Sequence, residues 1–203
     1  MMNAVIEEKS QKIAEVMLGS VRPLDFMIGK LIGGVGVAIT GTGIYVILGL
    51  LIVSYLGSMG IVPVHVIPWL FIYMAFAITM FGAVNTALGA LCNDPRDAQN
   101  VMIPAMLPII IPMFLMFPLI EQPTTTFATV TSLIPIFTPM LMLVRMATPL
   151  DIPAWQPWVG LLGIMLVTAG SIWISARIFR VGLLMQGKPP RLFEVIRLTF
   201  RDR

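Results

Sequence analysis

His65 and Cys92 each occur once in the chain, so neither can join a second residue of its own kind in a metal site, and Cys92 has no disulfide partner. His65 lies between Pro63 and Pro68 in a short loop, with no ligand cluster around it, and reads as a solvated interfacial residue rather than a proton relay. Sixteen methionines offer soft sulfur, Met113, Met116, Met140, Met142 and Met146 among them. They are scattered through apolar runs, as side chains that fill packing gaps are. The motifs H-E-x-x-H, G-x-S-x-G and G-x-x-x-x-G-K-[ST] are all missing from the sequence. The apolar stretches hold isolated Ser, Thr, Tyr and Asn85 groups but no acidic pair, so neither hydrolysis nor ion-coupled transport has an obvious set of groups. The reading is that this chain is not an enzyme and binds no cofactor or metal of its own. Charge concentrates instead in EEKSQKIAE near the start, in NDPRDAQN mid-chain and in the tail, which suits docking and orientation.

The elements that would carry those segments follow from the apolar lengths. From Leu31 to Asn93 there are 63 positions without Asp, Glu, Lys or Arg. At helical rise they cover roughly 95 Å, about three hydrocarbon thicknesses, or two spans and a turn. Hydrophobic residues make up 58% of the chain and charged ones 11%, against roughly 25% charged in soluble domains. An integral membrane protein follows, because a helix in water keeps a polar face. Spans are expected near 31–56, 67–91, 101–120 and 158–179. The expected fold is all-α integral membrane, with four transmembrane helices, an N-terminal amphipathic cytosolic helix and a re-entrant or interfacial outer hairpin at about 124–150. The divisions are a coupling segment 1–30, a transmembrane domain 31–180 and a basic tail 181–203. The charged, amphipathic opening lacks the form of a cleaved leader, so the first span is expected to remain as an anchor.

With both termini cytoplasmic, twelve of the thirteen Lys and Arg residues lie inside and only Arg145 outside, which fixes the expected orientation in the cell membrane. The net charge of +3 then reflects topology and lipid contact, not nucleic acid. The stretch 127–146 is apolar enough to cross, but crossing would carry the basic tail outside. Pro135 and Pro139 break helical bonding there, and the nearby Thr and Ser residues can satisfy a broken hairpin.

Residues 4–18 have helical amphipathicity: Ile6, Ile13, Val16 and Met17 share a side, while Glu7, Glu8, Lys12 and Glu15 point away. Gly19 can close that helix and Pro23 can open the next. Gly29/Gly33 and Gly36/Thr40 place small residues four apart, a pattern for close helix packing. In NDPRDAQN, Asp94 can cap a helix that Pro95 opens, with Asp97 in its first turn and Arg96 left for a contact. Pro104, Pro108 and Pro112 stack along one side of the third span.

The run EEKSQKIAEVMLGSVRPLDFMIGKLIGG resembles the cytosolic coupling segment of type-2 ABC exporter permeases, the sodium-efflux permease-like branch most of all. The likeness extends through NDPRDAQN to IFRVGLLMQGKPP, with Met17 where the motif has a second leucine. It implies a permease that joins a second permease half, or a second copy, and docks a separate ABC ATPase subunit holding ATP and Mg. Glu7, Glu8, Lys9, Lys12, Ile13, Glu15, Val16, Met17, Leu18, Ser20 and Pro23 would form the ATPase-coupling interface, and Asp94, Arg96 and Asp97 a second cytosolic contact. Such permeases usually have two earlier spans enclosing an extracellular domain, so this chain is expected to be the C-terminal half of one. Transport apart, the residues also fit a membrane scaffold or assembly protein whose amphipathic helix binds a partner. Dependence on an ATPase separates the two readings.

Overall fold

The computed structural model of the chain describes Ile6 and residues 23–57, 63–92, 95–150 and 152–184, and every regular element among them is helical. The elements are α1 (Pro23–Tyr55), α2 (Val66–Leu91), α3 (Pro95–Glu121), α4 (Thr126–Leu133), α5 (Thr138–Met146) and α6 (Trp155–Leu184). Four of them contain stretches long and apolar enough to cross a membrane: Asp25–Tyr55, Val66–Leu91, Met102–Glu121 and Trp155–Phe179. The helices outrun the apolar stretches expected from sequence, α3 by starting at Pro95 and α6 by continuing to Leu184. Backbone hydrogen bonding does not stop where the hydrocarbon does, and proline at the first helical position has no amide hydrogen to lose. Helix α3 continues through Pro104, Pro108 and Pro112.

The chain forms two compact units, and each long helix passes from one to the other. The first unit holds the start of α1, the α2–α3 turn and the end of α6. Its core is Met27 and Leu31 of α1, Ala83 and Ala90 of α2, and Phe179 of α6, with Phe26 stacked on Phe179 at 6.1 Å between ring centroids. Ala83, Thr86, Ala87 and Ala90 recur at helical spacing and are all buried, so α2 offers a flat, small-residue face to larger side chains. The hydroxyl of Thr86 donates to the Gly82 carbonyl at 2.7 Å, which hides its polarity within the helix.

The second unit contains the α1–α2 turn and the pair α4–α5. Thr125 caps α4 by accepting from the Ala128 amide. The pair turns around Pro135, while Pro139 sits in the first turn of α5, where a missing amide donor costs nothing. Tyr73, Met142, Met146 and Ile164 form one core of this unit; Leu119, Ala128 and Leu141 form another. Together they bind α4 and α5 to α2, α3 and α6 by apolar contact. Trp69 meets Tyr73 at 5.7 Å and Trp158 edge-on at 5.0 Å, while Trp173 lies under the Arg177 guanidinium at 3.9 Å. Tryptophans near both ends of the apolar lengths are what a bilayer's two interfaces favour.

Candidate functional site

Helix α1 shows how the chain divides its surfaces. Met27 and Leu31 are buried on one side. On a helical wheel Gly29, Gly33, Gly36 and Thr40 fall about 180–240° from Met27, on the opposite side, and all four are exposed. A Cβ built at Gly29, Gly33 or Gly36 meets nothing within 4 Å. The Thr40 hydroxyl donates to the Gly36 carbonyl at 2.8 Å, so the stripe presents no unsatisfied donor. Beside it Val37 is 76% exposed. The small-residue face expected from sequence is therefore present and faces away from the rest of this chain.

The close approach within the chain occurs at a glycine that sequence spacing does not single out. A Cβ at Gly160 would lie 2.8 Å from Thr138 Cγ2, 3.1 Å from Tyr73 Oη and 3.3 Å from Met142 Cε, so α2, α5 and α6 meet there. Gly163 is the next contact, 3.2 Å from Pro135 Cγ. The Tyr73 hydroxyl donates to the Pro157 carbonyl at 2.6 Å and fixes the entry of α6 beside α2.

Arg145, the one basic residue expected outside, is 1% exposed. Its Nε donates to the Pro123 carbonyl at 2.8 Å, Nη1 to Ser132 Oγ at 2.5 Å and Nη2 to Thr129 Oγ1 at 3.2 Å. All three acceptors are neutral. Burial pushes the guanidinium below its ordinary pKa, but arginine's reserve of basicity keeps it charged. Its forked donors thus pin the α3–α4 connection and two turns of α4 to α5, the geometry of a clasp rather than of an open anion site.

The charged segments are placed only in part. Glu7, Glu8, Lys9, Lys12, Ile13, Glu15, Val16, Met17, Leu18 and Ser20 lie outside the described residues, as does Asp94; Pro23 opens α1. Arg96 and Asp97 belong to the first turn of α3. Ile6 is described: it is helical, 3% exposed, and packed with Cys92, Leu88 and Met102. Among the described residues no group of three or more His, Cys, Asp or Glu side chains could hold a metal.

The family model described as "ABC-2 family transporter protein" matches residues 1–177. The chain belongs to the ABC-2 transporter family. Similar proteins include YhaP of Bacillus subtilis, 30% identical over 97% of this chain, and MJ1024 of Methanocaldococcus jannaschii, 24% identical over 98%. The chain spans 49% of the length of each of these relatives. No solved structure matches it. Family and apolar helices together make it an integral membrane protein.

Proposed function

We propose that this chain is a membrane-spanning permease component of an ATP-driven ABC exporter, coupling ATP hydrolysis on a separate subunit to transmembrane transport. The family match over residues 1–177 carries the reading. In this account residues 7–20 and Pro23 meet the ATPase, with Asp94, Arg96 and Asp97 as a second contact at the α2–α3 turn. Pro23 is itself the first residue of α1, so the last residue of the proposed interface already belongs to a membrane helix. ATP and Mg stay on the partner.

The second membrane half, a sister chain or a second copy, packs on the open side of α1. Without water in the bilayer core, small residues favour association by letting backbones approach closely, and Gly29, Gly33, Gly36 and Thr40 leave such room. Both ends of the chain lie in the cytoplasm, and the chain crosses the cell membrane four times. The twelve-to-one distribution of basic residues supports that orientation.

The test is co-purification from membranes with a co-expressed ABC ATPase, comparing wild type with a variant whose residues 7–20 are replaced by a Gly-Ser linker of equal length. The expected result is loss of the ATPase with membrane insertion kept. Equal recovery of the ATPase would assign residues 7–20 to anchoring and favour the scaffold function.

A further inference from the structure

We propose that Ile6 is a mechanical joint, seating the N-terminal segment on the α2–α3 turn so that its displacement is delivered to α2 and α3 as well as, through Pro23, to α1. This rests on the ATPase-coupling reading and adds the route by which motion enters the membrane.

The argument starts from an isoleucine that has no need to be covered by its own chain. Ile6 belongs to the side of residues 4–18 that sequence periodicity makes apolar, and such a side could face lipid or a partner protein equally well. Instead Ile6 is 3% exposed, in one cluster with Leu88 and Cys92 at the end of α2 and Met102 of α3. The described residues packed with Ile6 are apolar, and the Cys92 thiol donates back to the Leu88 carbonyl at 3.3 Å. Contact on two helices matters. A side chain resting on α2 alone would report on one helix, whereas Ile6 bridges the two that flank the charged turn NDPRDAQN.

Mechanics follows from having two attachments. A segment held only where it enters α1 can turn about that link without disturbing anything else. With Ile6 seated as well, the chain is fixed at Ile6 and again at Pro23, and close packing at the seat passes force on because well-packed side chains have little room to give. The seat also brackets the second proposed ATPase contact in sequence, since Asp94, Arg96 and Asp97 sit between Cys92 and Met102 in the chain. The two charged segments would then move as one body.

The full-length chain co-expressed with an ABC ATPase, in membranes, supplies the test. Cys92 is the only native cysteine, so Ile6→Cys creates one pair at the proposed contact. Treatment with copper phenanthroline should form an intramolecular disulfide, read as a tenfold or greater loss of maleimide labelling of the denatured protein. Neither wild type nor Ile6→Cys/Cys92→Ser should show that loss. Unchanged labelling of Ile6→Cys would overturn the contact. The second arm is hydrogen exchange of residues 88–102 with and without ATP, alongside ATPase recovery. Ile6→Ala should keep the ATPase and lose the ATP-dependent change, and Ile6→Val should restore it. An ATP-dependent change that persists in Ile6→Ala overturns the joint while leaving the coupling reading intact. Loss of the ATPase from Ile6→Ala assigns Ile6 to the subunit interface and likewise overturns it. A wild-type chain that recovers no ATPase defeats the coupling reading and the joint with it, even if the disulfide forms.

Discussion

Replacing Arg145 by methionine tests whether a buried cation organises the α4–α5 hairpin. The substitution deletes three hydrogen bonds, to the Pro123 carbonyl at 2.8 Å, Ser132 Oγ at 2.5 Å and Thr129 Oγ1 at 3.2 Å. Bonds from a charged donor contribute about 1.5–3 kcal/mol each, so the gross loss is about 4.5–9 kcal/mol. Methionine avoids the cost of desolvating a guanidinium, which is several kcal/mol for a buried ion. The difference is a net loss of about 2–4 kcal/mol. It should fall on the hairpin, because Thr129 and Ser132 keep their other bonds, to the Thr125 and Thr129 carbonyls. Amide exchange across residues 123–146 in detergent should then quicken by roughly 30- to 1,000-fold, the factor that free-energy loss implies if opening is local. Arg145→Lys is the sharper control. It keeps the charge, but one ammonium lacks the planar fork that reaches three separated acceptors, so it should do no better than methionine. Wild-type exchange in Arg145→Lys would show that charge alone suffices and refute the clasp.

Gly160→Val places carbon where a Cβ already lies 2.8 Å from Thr138 Cγ2 and 3.1 Å from Tyr73 Oη; overpacking should cost about 1–3 kcal/mol or more, seen as a lower temperature of aggregation in detergent. Gly33→Ala and Gly36→Ala meet nothing within 4 Å, so the isolated chain should be as stable as wild type or gain up to about 1 kcal/mol of helix propensity. The same pair should weaken assembly with a second membrane half, measured by native mass in mild detergent; a thermally destabilised isolated chain would place that face inside the chain after all. Tyr73→Phe removes the donor to the Pro157 carbonyl at 2.6 Å, which lies in the first turn of α6 and has its helical amide partner, for a loss of about 0.5–1.5 kcal/mol by thermal unfolding.

The spans were legible because lipid imposes length and apolarity on every residue of a segment, which a sequence displays directly. Pro95 at the start of α3 and the turn at Pro135 were legible too, since proline constrains its own backbone wherever it stands. Arg145 was visible only as an exception in the charge count. Its partners lie 13 to 22 residues away in sequence, and only the fold of the hairpin brings them to one guanidinium. The surrounding Thr and Ser were a usable signal: a lone arginine in an apolar stretch needs acceptors, and those are the neutral ones on offer. Glycine spacing did not reveal where this chain packs on itself. Gly29, Gly33 and Gly36 form the conspicuous pattern yet face outward, whereas the tight crossing is at Gly160 and the packed small face is on α2. Spacing states which residues share a face but not what covers it. The same holds for Ile6, whose amphipathic side was readable and whose socket on Leu88, Cys92 and Met102 was not.

Affinity for the ATPase tests the central claim most directly. The purified full chain in lipid nanodiscs is titrated with a cognate ABC ATPase, and its Kd compared with that of Val16→Ala/Leu18→Ala, two apolar residues of the proposed coupling segment. Truncating hot-spot side chains costs about 2 kcal/mol or more, so Kd should rise roughly 30-fold or beyond, with insertion unchanged. An equal Kd for the double variant and wild type, or no saturable binding by either, would contradict the account.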